Sequence, residues 1–258
     1  MKVVSTFSGC GGSSLGYKLA GGEILLAVEW DQNGVDTYKL NFPDTPIYHG
    51  DIAALSVDEV LTRTNLQPGE LDIFDGSPPC QGFSTAGKRE FHDQRNQLFR
   101  EYIRLLRGLQ PKAFVLENVS GMVKGKMKLI FADCLRELKD SGYKVKARLL
   151  NAKYFGVPQS RERMIFIGAR NDLGIEPTHP KPIKRAMTVR EALVGVPVEY
   201  PGPTPGKGKI PELMKQCKPG KSLAHSLGIT SYFSWVRAAW DKPCMTICKP
   251  TISGYGIF

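Results

Sequence analysis

Asp72-Ile-Phe-Asp-Gly-Ser-Pro-Pro-Cys80-Gln-Gly-Phe-Ser84 is a strand that runs into a rigid loop carrying one cysteine. Leu71 to Phe74 are strand formers. Pro78 and Pro79 then fix φ and offer no backbone donors, so the chain must leave the sheet there. Cys80 is thereby presented at a strand's carboxyl end, where open α/β sheets bind ligands. Most cysteines are small buried hydrophobes. The stiff, polar, glycine-containing surroundings of this one point instead to a positioned nucleophile.

The strand has neighbours on both sides in sequence. Lys2 to Phe7 is β-prone and feeds a glycine-rich turn, Ser8-Gly9-Cys10-Gly11-Gly12-Ser13-Ser14-Leu15-Gly16, followed by a helix that Ser13 or Ser14 is expected to cap. The spacing is not GxGxxG, so by itself it supports a nucleotide-like cofactor or a plain tight turn. A second strand, Ile24 to Val28, ends in Glu29-Trp30-Asp31, about 20 residues after the turn, where Rossmann-like folds place an acid on ribose hydroxyls. A third, Ile47 to Ile52, carries Asp51 at its end, with His49 read as a structural strand residue.

Beyond Cys80, Thr85 to Arg95 is polar and without apolar periodicity, a surface loop or a lid. Leu98, Phe99, Tyr102, Leu105, Leu106 and Leu109 then form one face of a helix that Pro111 stops. Ala113 to Val119 reads as a buried strand carrying Glu117 near its end, and a carboxylate there must be paired or used. A second helix buries Met127, Ile130, Cys134 and Leu138 and stops at Gly142. Lys144 to Leu150 and Met164 to Gly168 are two further strands, read as antiparallel. Alternation in the segment between them points Arg161 and Arg163 to one side.

The order and spacing of these stretches resemble the DNA (cytosine-5) methyltransferases. Gly76-Ser-Pro-Pro-Cys80-Gln-Gly-Phe-Ser84 is similar to the family's catalytic loop. Phe7-Ser-Gly-Cys-Gly-Gly with Leu15-Gly16 is similar to its first cofactor motif, and Gln159-Ser-Arg-Glu-Arg163 to its arginine motif. The resemblance implies a Rossmann-like α/β fold that uses S-adenosylmethionine and releases S-adenosylhomocysteine, with no metal. Cys80 would attack cytosine C6, Glu117 would hold the ring N3 edge, and Arg163, with Arg161 in support, would favour the charged intermediate. The implied cofactor residues are Phe7, Gly9, Cys10, Gly11, Gly12, Leu15, Glu29, Trp30, Asp51, Ile52, Pro79 and Leu98. The target base must be flipped out of the duplex to be reached.

Composition fits this reading. A chain of 258 residues is ample for a core, and it shows neither a signal peptide nor an apolar run long enough to span a bilayer, so a cytoplasmic protein is expected. Six scattered cysteines favour reduced thiols. Cys244 and Cys248, the close pair, lack the partners of a zinc site and are read as ordinary side chains. The net charge of +10 is uneven: Lys181 to Phe258 holds twelve Lys and Arg against four Asp and Glu, or +8, leaving +2 for the first 180 residues. That basic block is interleaved with Tyr232, Phe233, Trp235 and Trp240, which points to nucleic acid.

Prolines crowd the chain after Asp172, and Thr188 to Leu193 is the convincing helix fragment there. Residues 1–172 are therefore expected to form the catalytic and cofactor domain, and 173–258 an irregular, incomplete target-recognition region that binds duplex DNA. The family's ninth and tenth motifs are not found before Gly254-Tyr-Gly-Ile-Phe258, so a second short polypeptide, or the rest of a longer chain, is expected to supply them. Three alternatives stay open: a transfer-RNA cytosine-5 methyltransferase, a non-catalytic DNA-binding subunit, and a nicotinamide-dependent dehydrogenase.

Overall fold

The computed structural model describes residues 1–79, 97–123, 128–183, 185–196, 213, 216–228 and 236–247. Cys80, the Thr85 to Arg95 segment, Met127, Tyr232, Phe233, Trp235 and Cys248 lie outside the described residues. The chain divides into two compact units, one of Met1–Leu150 with Arg163–Pro180, the other of Asn151–Glu162 with Lys181–Phe258. Asn151–Glu162, which the sequence places with the catalytic domain, therefore belongs to the second unit.

The first unit is built on a seven-stranded sheet. Its strands are β1 Lys2–Thr6, β2 Glu23–Glu29, β3 Ile47–His49, β4 Ile73–Gly76, β5 Ala113–Val119, β6 Tyr143–Asn151 and, after a short strand β7 (Gln159–Ser160) that lies in another sheet, β8 Glu162–Arg170. They are ordered β3-β2-β1-β4-β5-β8-β6. β1 to β5 pair in parallel, whereas β8 runs antiparallel to β5. The helices between them are α1 Gly12–Leu19, α2 Gln32–Asn41, α3 Val57–Thr64, α4 Gln97–Leu109 and α5 Lys128–Asp140. Parallel strands joined by helices give the α/β, Rossmann-like architecture expected from sequence. The order reverses at β1 and β4, the topological switch point at which such sheets bind ligands.

The core explains the strand and helix patterns. Tyr102, Leu105, Leu106 and Leu109 of α4 are buried against Phe74, Phe114, Leu116 and Phe166 of the sheet. Each such side chain contributes roughly 1.5–3 kcal/mol on leaving water. Tyr102 stacks on Phe74 with ring centroids 4.7 Å apart. Cys134 lies in this core, as its helical face required.

Two local expectations are corrected. Neither Ser13 nor Ser14 caps α1: the N-cap is Gly11, with no side-chain cap bond, and both serines sit inside the helix. Gly11 has φ +92, and a Cβ there would lie 2.2 Å from the Phe42 ring, so this turn needs a glycine, and of the two serines Ser14 is buried. Arg161 does not continue the β8 alternation with Arg163. Its N–H donates to Gln159 O at 3.1 Å, a tight turn that breaks the strand between β7 and β8 and leaves the two arginines in different units.

The second unit has little regular structure among its described residues. β7 pairs in parallel with β9 (Cys244–Met245). Thr188 caps the short helix Val189–Ala192 through a capping box with Glu191, so the fragment expected from sequence is present. Arg190 N donates to Trp240 O, and its guanidinium lies 5.5 Å from the Trp240 ring centroid.

Candidate active site

The switch point builds a cavity of about 420 Å³ lined by Phe7, Val28, Glu29, Trp30, Asp31, Gly50, Asp51, Ile52, Pro79 and Leu98. Seven of the expected cofactor residues meet there: Phe7, Glu29, Trp30, Asp51, Ile52, Pro79 and Leu98. Gly9, Cys10, Gly11, Gly12 and Leu15 do not line it. The glycine turn acts on the cavity through Glu29 instead. Glu29 Oε2 accepts from Gly9 N at 2.7 Å, and Oε1 accepts from Trp30 N at 2.9 Å and Asp31 N at 2.8 Å. A carboxylate offers about four acceptor positions, so one remains for a ligand hydroxyl. Leu15 is on the outer face of α1, 51% exposed.

Val28, Asp31 and Gly50 line the cavity without standing out as ligand residues in the sequence. Asp31 is also the N-cap of α2, accepting from Gly34 N, and that D-x-x-G start is legible as a helix signal. Trp30 is 75% exposed, an aromatic face open to a ligand. His49 Nε2 lies 3.2 Å from Trp30 O and ties β3 to the turn after β2. Asp51 lies just past the end of β3, its Oδ1 accepting from Ala53 N at 2.9 Å.

The end of β5 lies close to the chain that enters the cysteine loop. Glu117 Oε1 is 2.6 Å from Arg163 Nε, an ion pair created by the β5–β8 register, in which Val119 faces Arg163 and Glu117 faces Ile165. The Glu117 and Arg163 side chains are 32% and 22% exposed, so the pair has one open side. Asn118 is buried and gives no signal in the sequence. Its Nδ2 donates to Pro78 O at 3.4 Å, which ties β5 to the loop two residues before Cys80. On the other flank, Ser77 Oγ donates to Phe7 O at 3.3 Å. Asn118 and Ser77 thus tether the chain that leads toward Cys80, and Glu117, the residue before Asn118, is paired with Arg163.

An aromatic and aliphatic cavity with acids at its rim, in the same unit as a carboxylate–guanidinium pair at a strand end, has the features a group-transfer enzyme with a nucleoside cofactor needs. The chain belongs to the C-5 cytosine-specific DNA methylase family, whose model matches residues 1–217. It is similar to the Type II methyltransferase M.AquIA of Picosynechococcus sp., 39% identical over 226 residues, which cover 78% of this chain and 90% of that protein. It is also similar to the Type II methyltransferase M1.HphI of Haemophilus parahaemolyticus, 44% identical over 185 residues, 70% of this chain and 49% of the relative. Several curated relatives are thus spanned over only about half their length. A solved structure described as a DNA modification methyltransferase encoded within an E. coli prophage superposes with a TM-score of 0.75 at 25% identity, over 95% of this chain and 82% of that one.

Proposed function

We propose that the chain carries the catalytic domain of a DNA (cytosine-5) methyltransferase of a bacterial or phage restriction-modification system, acting in the cytoplasm on duplex DNA. The observation that carries the reading is the Glu117–Arg163 ion pair at the strand end tethered to Pro78. A nucleoside-sized cavity in the same unit supports the same view, since small-ligand sites run from roughly 300 to 1,000 Å³.

The residues present fit S-adenosylmethionine. Trp30 and Ile52 would sandwich its adenine, Glu29 would take a ribose hydroxyl, and Asp51 the adenine amino group. When bound, the cofactor supplies an electrophilic methyl group for cytosine C5. The chain's own part is to make that carbon nucleophilic. The Cys80 thiolate adds to C6, and Glu117, held in place by Arg163, hydrogen-bonds the N3 edge while charge develops on the ring. Loss of the C5 proton then expels Cys80 and restores aromaticity. The resemblance also gives Arg161 a supporting role toward the base or an adjacent phosphate.

The basic second unit is proposed to bind the duplex, phosphates giving affinity and base edges giving sequence choice. A second short polypeptide is proposed to cover α1, where Leu15 and Leu19, one turn apart, are 51% and 81% exposed. Transfer of a labelled methyl group to duplex DNA rather than transfer RNA, with 5-methylcytosine as the product, tests the function.

A further inference from the structure

Asp75 is a buried acid to which the proposed reaction gives no task. It sits in β4 opposite Ser5 of β1, and only 7% of it is exposed. Its Oδ2 accepts from Ser5 Oγ at 2.9 Å and its Oδ1 from the Tyr17 hydroxyl at 3.0 Å. Ser13, whose Oγ is 3.4 Å from Ser5 Oγ, also hydrogen-bonds the carboxylate. All three partners are neutral hydroxyls, and no cation pairs with Asp75 among the described residues. Burial pushes its pKa up, and Glu117 pushes it the same way. Hydroxyls hold such a group in place without balancing its charge, and an unbalanced buried charge is costly.

The carboxyl group lies beneath the cofactor turn. Ser5 is two residues before Phe7 and Asp75 two before Ser77, while Ser77 Oγ bonds Phe7 O. At strand rise the carboxylate is thus roughly 7 Å below the Phe7 rim of the cavity. Ser13 and Tyr17 belong to α1, the helix that the glycine turn begins. The other titratable groups that face Asp75 do not offset it: Tyr17 of α1, Tyr38 of α2 and Tyr102 of α4 are phenols with pKa values raised by burial, and Glu117 of β5 is already paired with Arg163.

We infer that Asp75 is a specificity-determining residue that favours a cationic cofactor, the sulfonium of S-adenosylmethionine, over the uncharged thioether left once the methyl group has gone. The inference rests on the proposed reading of the cavity as the S-adenosylmethionine site. An ionised Asp75 within roughly 10 Å of the sulfonium would, at an effective dielectric of about 20, favour it roughly tenfold. Exchange of spent for fresh cofactor is thereby biased by one side chain that touches neither.

The test is equilibrium binding of S-adenosylmethionine and S-adenosylhomocysteine, at neutral pH, to the parent chain and to Asp75→Asn. The expected result is a loss of roughly tenfold in affinity for the sulfonium compound and less than about twofold for the thioether. Equal losses for both would make Asp75 a structural residue only, and an unchanged ratio would overturn the inference while leaving the cofactor site intact. A parent chain that binds neither compound would overturn the cofactor reading itself. Tyr17→Phe, which removes a donor that favours the ionised carboxylate, is expected to shift the ratio the same way by a smaller factor. If Asp75→Asn fails to fold, equal effects of Tyr17→Phe on both ligands would overturn the inference on their own.

Discussion

Glu117 and Arg163 meet at 2.6 Å because β8 runs antiparallel against β5 and brings the start of one strand to the end of the other. The guanidinium fixes the carboxylate, and both side chains keep partial access to solvent. Glu117→Gln keeps the shape but loses the charge and the proton. Turnover is expected to fall by roughly 10² to 10⁴, the usual worth of general acid–base help, with cofactor affinity unchanged. Single-turnover methylation alongside cofactor titration checks this, and near-parental turnover would remove Glu117 from the chemistry.

Trp30 is 75% exposed, so little of it is buried by the fold. Trp30→Ala is therefore expected to leave the melting temperature within about 1–2 °C while weakening S-adenosylmethionine binding by about 1–3 kcal/mol, the worth of aromatic stacking plus burial. Calorimetry measures the second quantity. Unchanged affinity would refute the stacking role.

Gly11 tests the cofactor turn from the side of stability. With φ at +92 and the Phe42 ring 2.2 Å from where a Cβ would stand, an alanine there is both strained and overpacked. Gly11→Ala is expected to lose about 2–4 kcal/mol in chemical denaturation. A loss under about 0.5 kcal/mol would mean that the turn adjusts freely.

The same turn marks how far the sequence can be read. β5 is legible to the residue, because Pro111 closes the helix before it and apolar residues run from Phe114 to Leu116. The cavity is legible in Glu29, Trp30 and Asp51, which local spacing places at strand ends. The cap of α1 is not, because serine is the commoner cap and what displaces it is the Phe42 ring, 31 residues away in sequence. Asn118 and Asp75 are invisible for a related reason. Their partners Pro78 and Ser5 lie 40 and 70 residues away, so only the parallel register reveals that they are held.

Asp75 makes a further prediction about acidity. Its folded pKa lies above the unfolded value, so the folded state favours the protonated form. Its contribution to stability is complete below about pH 4 and is lost as pH rises through the folded pKa. Asp75→Asn carries no charge at any pH and escapes that loss. Thermal melts from about pH 4 to 8 should therefore move in favour of the variant as pH rises. A parent that gains on the variant over this range would contradict the assignment.

The second unit bears the +8 balance of residues 181–258. Affinity for duplex DNA is expected to fall by about 10³ or more between roughly 50 and 200 mM salt if six or more phosphates are neutralised. Titration of labelled duplex at several ionic strengths checks it. A flat response would mean that phosphate contacts are not the source of affinity.

Covalent capture reports on the Cys80 nucleophile itself. The protein purified from its native source, with any companion chain, is incubated with S-adenosylmethionine and duplex DNA in which the target cytosine carries fluorine at C5, so that the C5 proton needed for release is absent. The expected product is a denaturation-resistant protein–DNA adduct mapped by peptide mass spectrometry to Cys80, and none with Cys80→Ser. Methylation of ordinary duplex by the parent with no such adduct, or an adduct at another residue, would contradict the proposed chemistry.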